Sequence, residues 1–354
     1  MTIKYLDSKR LSATSTDFGT NGAGIPAEAG GWKEIGRTTL GSANQNIDVT
    51  SLPDKRYLMY IMDLRDNGAD ISPNFTLNND TGNNYSFRES TNGSSDSTAT
   101  SVGVNRLRVD NTDTNRFHVG YISNLSSKEK LNIGHGVSES TAGAGTAPAR
   151  IEYVGKWANT SNAISSLKVT STYGSNSMGS GAEVVVLGWD TDNDNTNFWE
   201  QLASVELGSS GDVLSSGTIT AKKYLWVQAF MSATGGAIRG NITFNSDTGS
   251  NYAERVSWNG ASDSTYTSQP NFFDDNQSEN KFYNFFIVNN ASNEKLMTFN
   301  AIGANTAGAG NAPRRTEMVG KWANTSNQIT NITLTNDQAG DFDAGSFIKV
   351  WGSN

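Results

Sequence analysis

Two Asp-Thr-Gly triplets, Asp80-Thr81-Gly82 and Asp247-Thr248-Gly249, offer the sharpest chemistry in this sequence. One such triplet in each of two related lobes can bring two carboxylates onto one water and cleave an amide. That chemistry wants each Asp directly after an apolar strand. Here Asp80 follows Asn78-Asn79 and Asp247 follows Asn245-Ser246, midway between alternating segments. Asn, Asp and Gly in that setting read as a hairpin turn.

Asp190, Asp192 and Asp194 are the candidate metal ligands, because oxygen donors at alternate positions suit Ca2+. The run lacks the Gly and the closing Glu of a calcium loop; Asn195 and Gln201 stand there. The competing reading is a solvated linker, and no other cofactor is expected. The Gly-rich TAGAG stretches, Thr141 to Gly145 and Thr306 to Gly310, are followed by Pro and then a strand. A phosphate cradle would need a helix there, so they read as flexible loops. His118 and His135 are the only histidines and recur as Tyr283 and Asn300, so they read as surface strand residues. Eleven Asn-x-Ser/Thr sequons occur against about nine expected by chance from composition, so their count carries little weight.

Repetition organises these residues. Lys222-Lys223-Tyr224-Leu225 answers Lys55-Arg56-Tyr57-Leu58, and VGKWANTSN at Val319 to Asn327 is identical to Val154 to Asn162. The offset changes from 167 to 165, which places a two-residue deletion between Arg255 and Phe282. That divergent stretch is where a difference between the copies is expected. The expected domains are 31–189 and 197–354, joined by a linker at 190–196 and preceded by an extended arm at 1–30. Trp32/Trp199 and Trp157/Trp322 recur in both copies and read as packing anchors. Trp226 and Trp258 do not recur and are candidates for a binding face peculiar to one copy.

The elements that must position these groups are strands. Tyr57 to Leu64 and Tyr224 to Met231 are bulky runs suited to strands buried on both faces. Arg150 to Trp157 and Lys168 to Thr172 alternate, as half-buried strands do. Asn67-Gly68, Asn92-Gly93 and Asn259-Gly260 supply turns. The fold class expected is all-β: two tandem homologous β-sandwich domains, jelly-roll-like by preference, concanavalin-like as the alternative.

Composition narrows the classes. Of 354 residues, 40 are Asn, 76 are Ser or Thr and none is Cys, which leaves no disulfide framework or thiolate chemistry. The net charge of −8 argues against a nucleic-acid partner. No apolar run is long enough for a membrane helix, so no membrane insertion is expected. The opening MTIKYLDSKR carries no apolar core of a signal peptide.

The opening KYLDSKR, the LGWD followed by NFWE at the domain junction, and the VGKW-x-NTSNQI stretch resemble uncharacterised virion structural proteins of environmental, largely marine, phages and archaeal viruses. The resemblance covers most of both copies and transfers no functional residues. It implies a non-enzymatic virion component (capsid, capsid decoration, or tail or fibre) that works by self-assembly or by docking on the particle. Its partners would be further copies or other virion proteins, and its location the virion after synthesis in a host cytoplasm. The arm at 1–30 would then lie across a neighbouring subunit. The alternative function is a carbohydrate-binding or adhesive cell-surface protein, with surface glycans as partners and aromatics exposed over one sheet.

Overall fold

The computed structural model of the chain describes residues 31–107, 114–190, 198–276, 278, 280–304 and 310–354. The arm expected at 1–30 and most of the expected linker lie outside the described residues. Every regular element among the described residues is a strand.

The first copy contains β1 (Lys33–Thr39), β2 (Asn46–Val49), β3 (Tyr57–Leu64), β4 (Pro73–Leu77), β5 (Tyr85–Thr91) and β6 (Ser97–Val102). It continues with β7 (Asn105–Arg106), β8 (Arg116–Ser123), β9 (Lys130–Ser138), β10 (Ala149–Trp157), β11 (Leu167–Ser171) and β12 (Glu183–Trp189). The pairing is nested and antiparallel: β1 with β12, β2 with β11, β3 with β8, β4 with β7. First-with-last nesting is what folding one long hairpin into two facing sheets produces, and it is the jelly-roll connectivity. Two further hairpins, β5–β6 and β9–β10, widen one sheet to the order β1-β12-β3-β8-β9-β10-β5-β6. The smaller sheet runs β2-β11-β4-β7.

The second copy contains β13 (Glu200–Glu206), β14 (Val213–Ser215), β15 (Tyr224–Met231), β16 (Ala233–Thr234), β17 (Asn241–Phe244), β18 (Tyr252–Trp258) and β19 (Ser264–Gln269). It ends with β20 (Lys281–Val288), β21 (Lys295–Gly303), β22 (Arg314–Trp322), β23 (Ile332–Thr335), β24 (Asp341–Phe342) and β25 (Phe347–Ser353). Its large sheet repeats the first as β13-β25-β15-β20-β21-β22-β18-β19, and its small sheet is β14-β23-β17. The counterpart of β7 shrinks to one bridge between Ile242 and Phe272.

Three apolar cores separate four layers. Leu58, Tyr60, Met62 and Leu64 of β3 fill the first sandwich with Ile47, Phe75 and Val169. Leu225, Val227, Ala229 and Met231 of β15 fill the second. The intervening residues of β3, Met59 and Ile61, join Phe117, Val119 and Val137 in a third core against Tyr224, Phe286, Leu296 and Trp351. The large sheets therefore pack face to face. That is why β3 reads as an apolar run broken only at Asp63: one face meets its own small sheet and the other meets the second copy.

The first core also depends on two missing side chains. Gly120 and Gly134 stand opposite each other on β8 and β9. The Tyr60 and Tyr153 rings fill the space, and their hydroxyls hydrogen-bond at 2.8 Å. A Cβ on Gly134 would sit 2.3 Å from Tyr153 Cζ. Gly134→Ala is expected to overpack this core and cost about 1–3 kcal/mol, read as a lower denaturant midpoint at unchanged slope.

Candidate functional site

The two Asp-Thr-Gly triplets form matching turns within each copy, not a shared site. The left-handed residues are Asn78 and Asn79, both at φ 53°, and Asn245 and Ser246 at φ 52° and 57°. β4 and β5 lie in different sheets, so the segment is a corner between sheets and not the expected hairpin. Asp80 Oδ1 accepts the Gly82 N–H at 2.9 Å, and Oδ2 accepts the Trp157 indole N–H at 2.7 Å. Asp247 repeats both contacts, with Gly249 at 2.9 Å and Trp322 at 2.7 Å. Tyr85 stacks on Trp157 and donates to the Asp80 carbonyl at 3.1 Å; Tyr252 and Trp322 do the same with Asp247 at 3.0 Å. Lys130 and Lys295 lie over these indoles and donate to the carbonyls of Asn159 and Asn324. The Asn159 and Asn324 side chains cap the next turn. The identical VGKWANTSN stretches are thus explained by one corner built twice, which also spends both carboxylates.

Asp190 accepts the Arg56 backbone N–H at 2.7 Å and pairs with Lys55 at 3.5 Å. Asp192 and Asp194 lie outside the described residues. Among the described residues no three His, Cys, Asp or Glu side chains group as a metal site. The first TAGAG loop is docked on the second copy: the Ala144 carbonyl accepts the Ser268 N–H at 2.7 Å, and Glu294 accepts the Gly143 N–H. Most of the second TAGAG loop lies outside the described residues.

The histidines correct their expected placement. His118 is fully buried inside the first sandwich, edge-on to Tyr153 at 6.2 Å. Burial, with the Arg116 charge, pushes it down to about 3. His135 faces the second copy, where burial and the Arg150 charge push it down to about 3. Trp226 is corrected too. It packs in the third core, 4.8 Å from Trp351 and stacked on Phe286, and is not a free binding face.

The structure brings together a pair that sequence reading did not single out. A cleft of about 360 Å³ opens between the large sheets, with Glu152 and His135 on one wall and Glu317, Asn284 and Asn300 on the other. Glu152 and Glu317 occupy equivalent positions of the two copies, as do His135 and Asn300. Pairing explains the placement: Glu152 stands opposite His135, and Glu317 opposite Asn300, on the outer face of each large sheet. Arg150, nearly fully buried, binds Glu152, reaches Glu317 at 3.5 Å, and pairs with Asp263 at 2.6 Å. Asp263 comes from the divergent stretch, so that stretch ties the copies together.

Glu152 and Glu317 face each other across the cleft on either side of the Arg150 guanidinium. Burial and the Glu317 charge, opposed by Arg150, push Glu152 up to about 7. The arrangement is an ionic clamp across the cleft floor. Its signal in the sequence is a charged residue recurring in both copies on the outward side of an otherwise apolar strand.

Two outcomes are expected. For Asp80 and Asp247, partial burial opposes ionisation, but the indole, amide and backbone donors outweigh it and hold both carboxyls below their ordinary value. Their stabilisation is present above that value and is lost as pH falls through the folded-state value. Asp247→Asn should cost about 1–2 kcal/mol near neutrality, with the gap to wild type closing in acid. For Glu152 the sign reverses. The folded state holds the extra proton between the ordinary carboxylate range and about 7, so stability falls as pH rises through that window. Glu139, raised to about 7 by burial and Glu294, adds to the same slope. Glu152→Gln should flatten the slope in part and stabilise the protein by about 1–2 kcal/mol at pH ~8, measured by denaturant titration across pH.

No protein-family model and no curated protein matches the sequence. Among solved structures, domains LG4-5 of the mouse laminin alpha1 chain align at 12% identity over 93% of this chain and 91% of that one, with a TM-score of 0.19. An engineered GH43 glycoside hydrolase aligns at 9% identity over 80% and 74%, with a TM-score of 0.20. The Neisserial surface protein NspA aligns at 5% identity over 83% and 98%, with a TM-score of 0.12. Superpositions this loose carry no argument about function, and the jelly-roll description stands on the strand pairing.

Proposed function

We propose that the chain is a non-enzymatic structural component of a virion, acting as a preassembled two-lobed block. The observation that carries this reading is the clamp between the copies. Two jelly rolls are locked by a continuous apolar core and by buried ties such as Tyr224 to Glu183 at 2.6 Å and Asn290 to Asp63 at 2.9 Å. Side chains that could have served catalysis are spent inside this frame. Both Asp-Thr-Gly carboxylates hold corners, and the paired glutamates are clamped by Arg150. A block of this kind serves self-assembly or docking on a particle. A cell-surface glycan binder is the second reading, favoured by one observation: Tyr57 and Tyr121 are exposed beside Trp32 and Trp189 on one sheet.

Light scattering and electron micrographs of the purified full-length chain test the two readings. The structural reading expects rings, shells or filaments with defined symmetry. A monomer at all concentrations, with affinity on a glycan array that Tyr57→Ala abolishes, would replace it with the second.

A further inference from the structure

The outer faces of the two large sheets are homologous, yet they are covered unequally. On the second copy one end of that face is sealed by the first copy: Tyr224 is 1% exposed, Leu296 1% and Val319 0%. Their counterparts on the first copy are open: Tyr57 is 38% exposed, Leu131 56% and Val154 45%. The opposite end shows the reverse. On the first copy Phe117 and Val137 are buried at 1% and 0% against the second copy. Their counterparts are Phe282, partly exposed, and Ile302, 48% exposed.

Among the described residues, each chain therefore uses one half of each face internally and leaves the homologous other halves free. We propose that these free halves join two copies of this chain: the Phe282/Ile302 end of one copy docks on the Tyr57/Leu131/Val154 end of the next. The internal junction supplies the pattern. Phe117 stacks on Tyr224 at 6.4 Å, so Phe282 of one copy stacks on Tyr57 of its neighbour. The internal acidic ties are Asp63 and Glu183, which meet Lys223 and Tyr224. At the corresponding free positions stand Phe230 and Phe347, stacked at 5.9 Å. The junction between copies is thus apolar where the internal one is ionic. Because its two halves differ, it is heterologous and extends into a ring or a filament. The proposal rests on the structural reading above and names the partner and surface it would use.

Leu131→Glu and Ile302→Glu each place a charge on one half only, at half-exposed sites that tolerate it in the folded chain. Val213→Glu, at an exposed position on β14 away from both halves, is the control. Sedimentation should show wild type and the control growing in mass with concentration, and each variant alone staying at 37.9 kDa. An equimolar mixture of the two variants should give a species of twice that mass, because one intact junction remains. Wild type that assembles while both variants assemble equally well overturns this junction and leaves the structural reading standing. Wild type that stays monomeric at every concentration overturns both.

Discussion

The large eight-stranded sheet imposes the constraint from which the rest follows. Its inner face is closed by the small sheet of its own jelly roll, but its outer face is also apolar, with Met59, Ile61, Val185 and Leu187 in the first copy. A sheet apolar on both faces cannot stand in water on one side. The second copy supplies the cover, and its own outer face, with Trp226, Phe286 and Trp351, is covered in return. The ionic contacts are arranged around that apolar contact. Arg150, Asp263, Glu152 and Glu317 sit where the cleft begins, and Asp63, Glu183 and Lys223 close the other flank. Buried charges of this kind fix one relative placement of the sheets more than they add net stability.

Within each copy a different device holds the corners. A chain rich in Asn and Ser needs its polar groups satisfied wherever turns approach the core. Asn78 shows how: its side-chain oxygen accepts the Ser165 and Ser166 N–H groups at 2.7 and 3.1 Å while its backbone takes the left-handed conformation. Asn245 repeats this with Thr330 and Asn331. The amide-rich composition is therefore in part structural: Asn supplies both the positive φ and the acceptor that a bare turn would lack.

Much of this was legible in the sequence. The bulky apolar run of β3 marked a strand covered on both faces, and the alternation of β10 placed Ile151, Tyr153 and Trp157 inward. What hid was set by packing between strands far apart in sequence, within one copy or between the two. His118 reads as a surface residue because its neighbours alternate, yet Gly136 opposite leaves a hole that its ring fills beside Ile151. Trp226 looked like a free aromatic because Met59 replaces it in the first copy; both belong to the shared core. The glutamate pair escaped notice because each member looks like an ordinary outward charge on its own strand. Only superposing the copies and asking which outward residues recur would have shown them meeting.

Identity between the copies is strictest at the corners. There the copies agree, as with Asp80 and Asp247, Trp157 and Trp322, and Lys130 and Lys295. On the outer face of the large sheet some residues recur, such as Glu152 and Glu317 or Tyr57 and Tyr224, while others part: Met59 against Trp226, Asp63 against Phe230, His135 against Asn300, Glu183 against Phe347. Two faces packed on each other about a perfect two-fold would have no reason to diverge, since each would see the other's copy of itself. Here the acidic end of one face meets the Lys223 end of the other, and the remaining ends are left uncovered by the described residues. The unequal burial of homologous residues is thus the physical cause that lets the copies specialise. Each half-face answers to a different neighbour and can change without disturbing the corner modules beneath it.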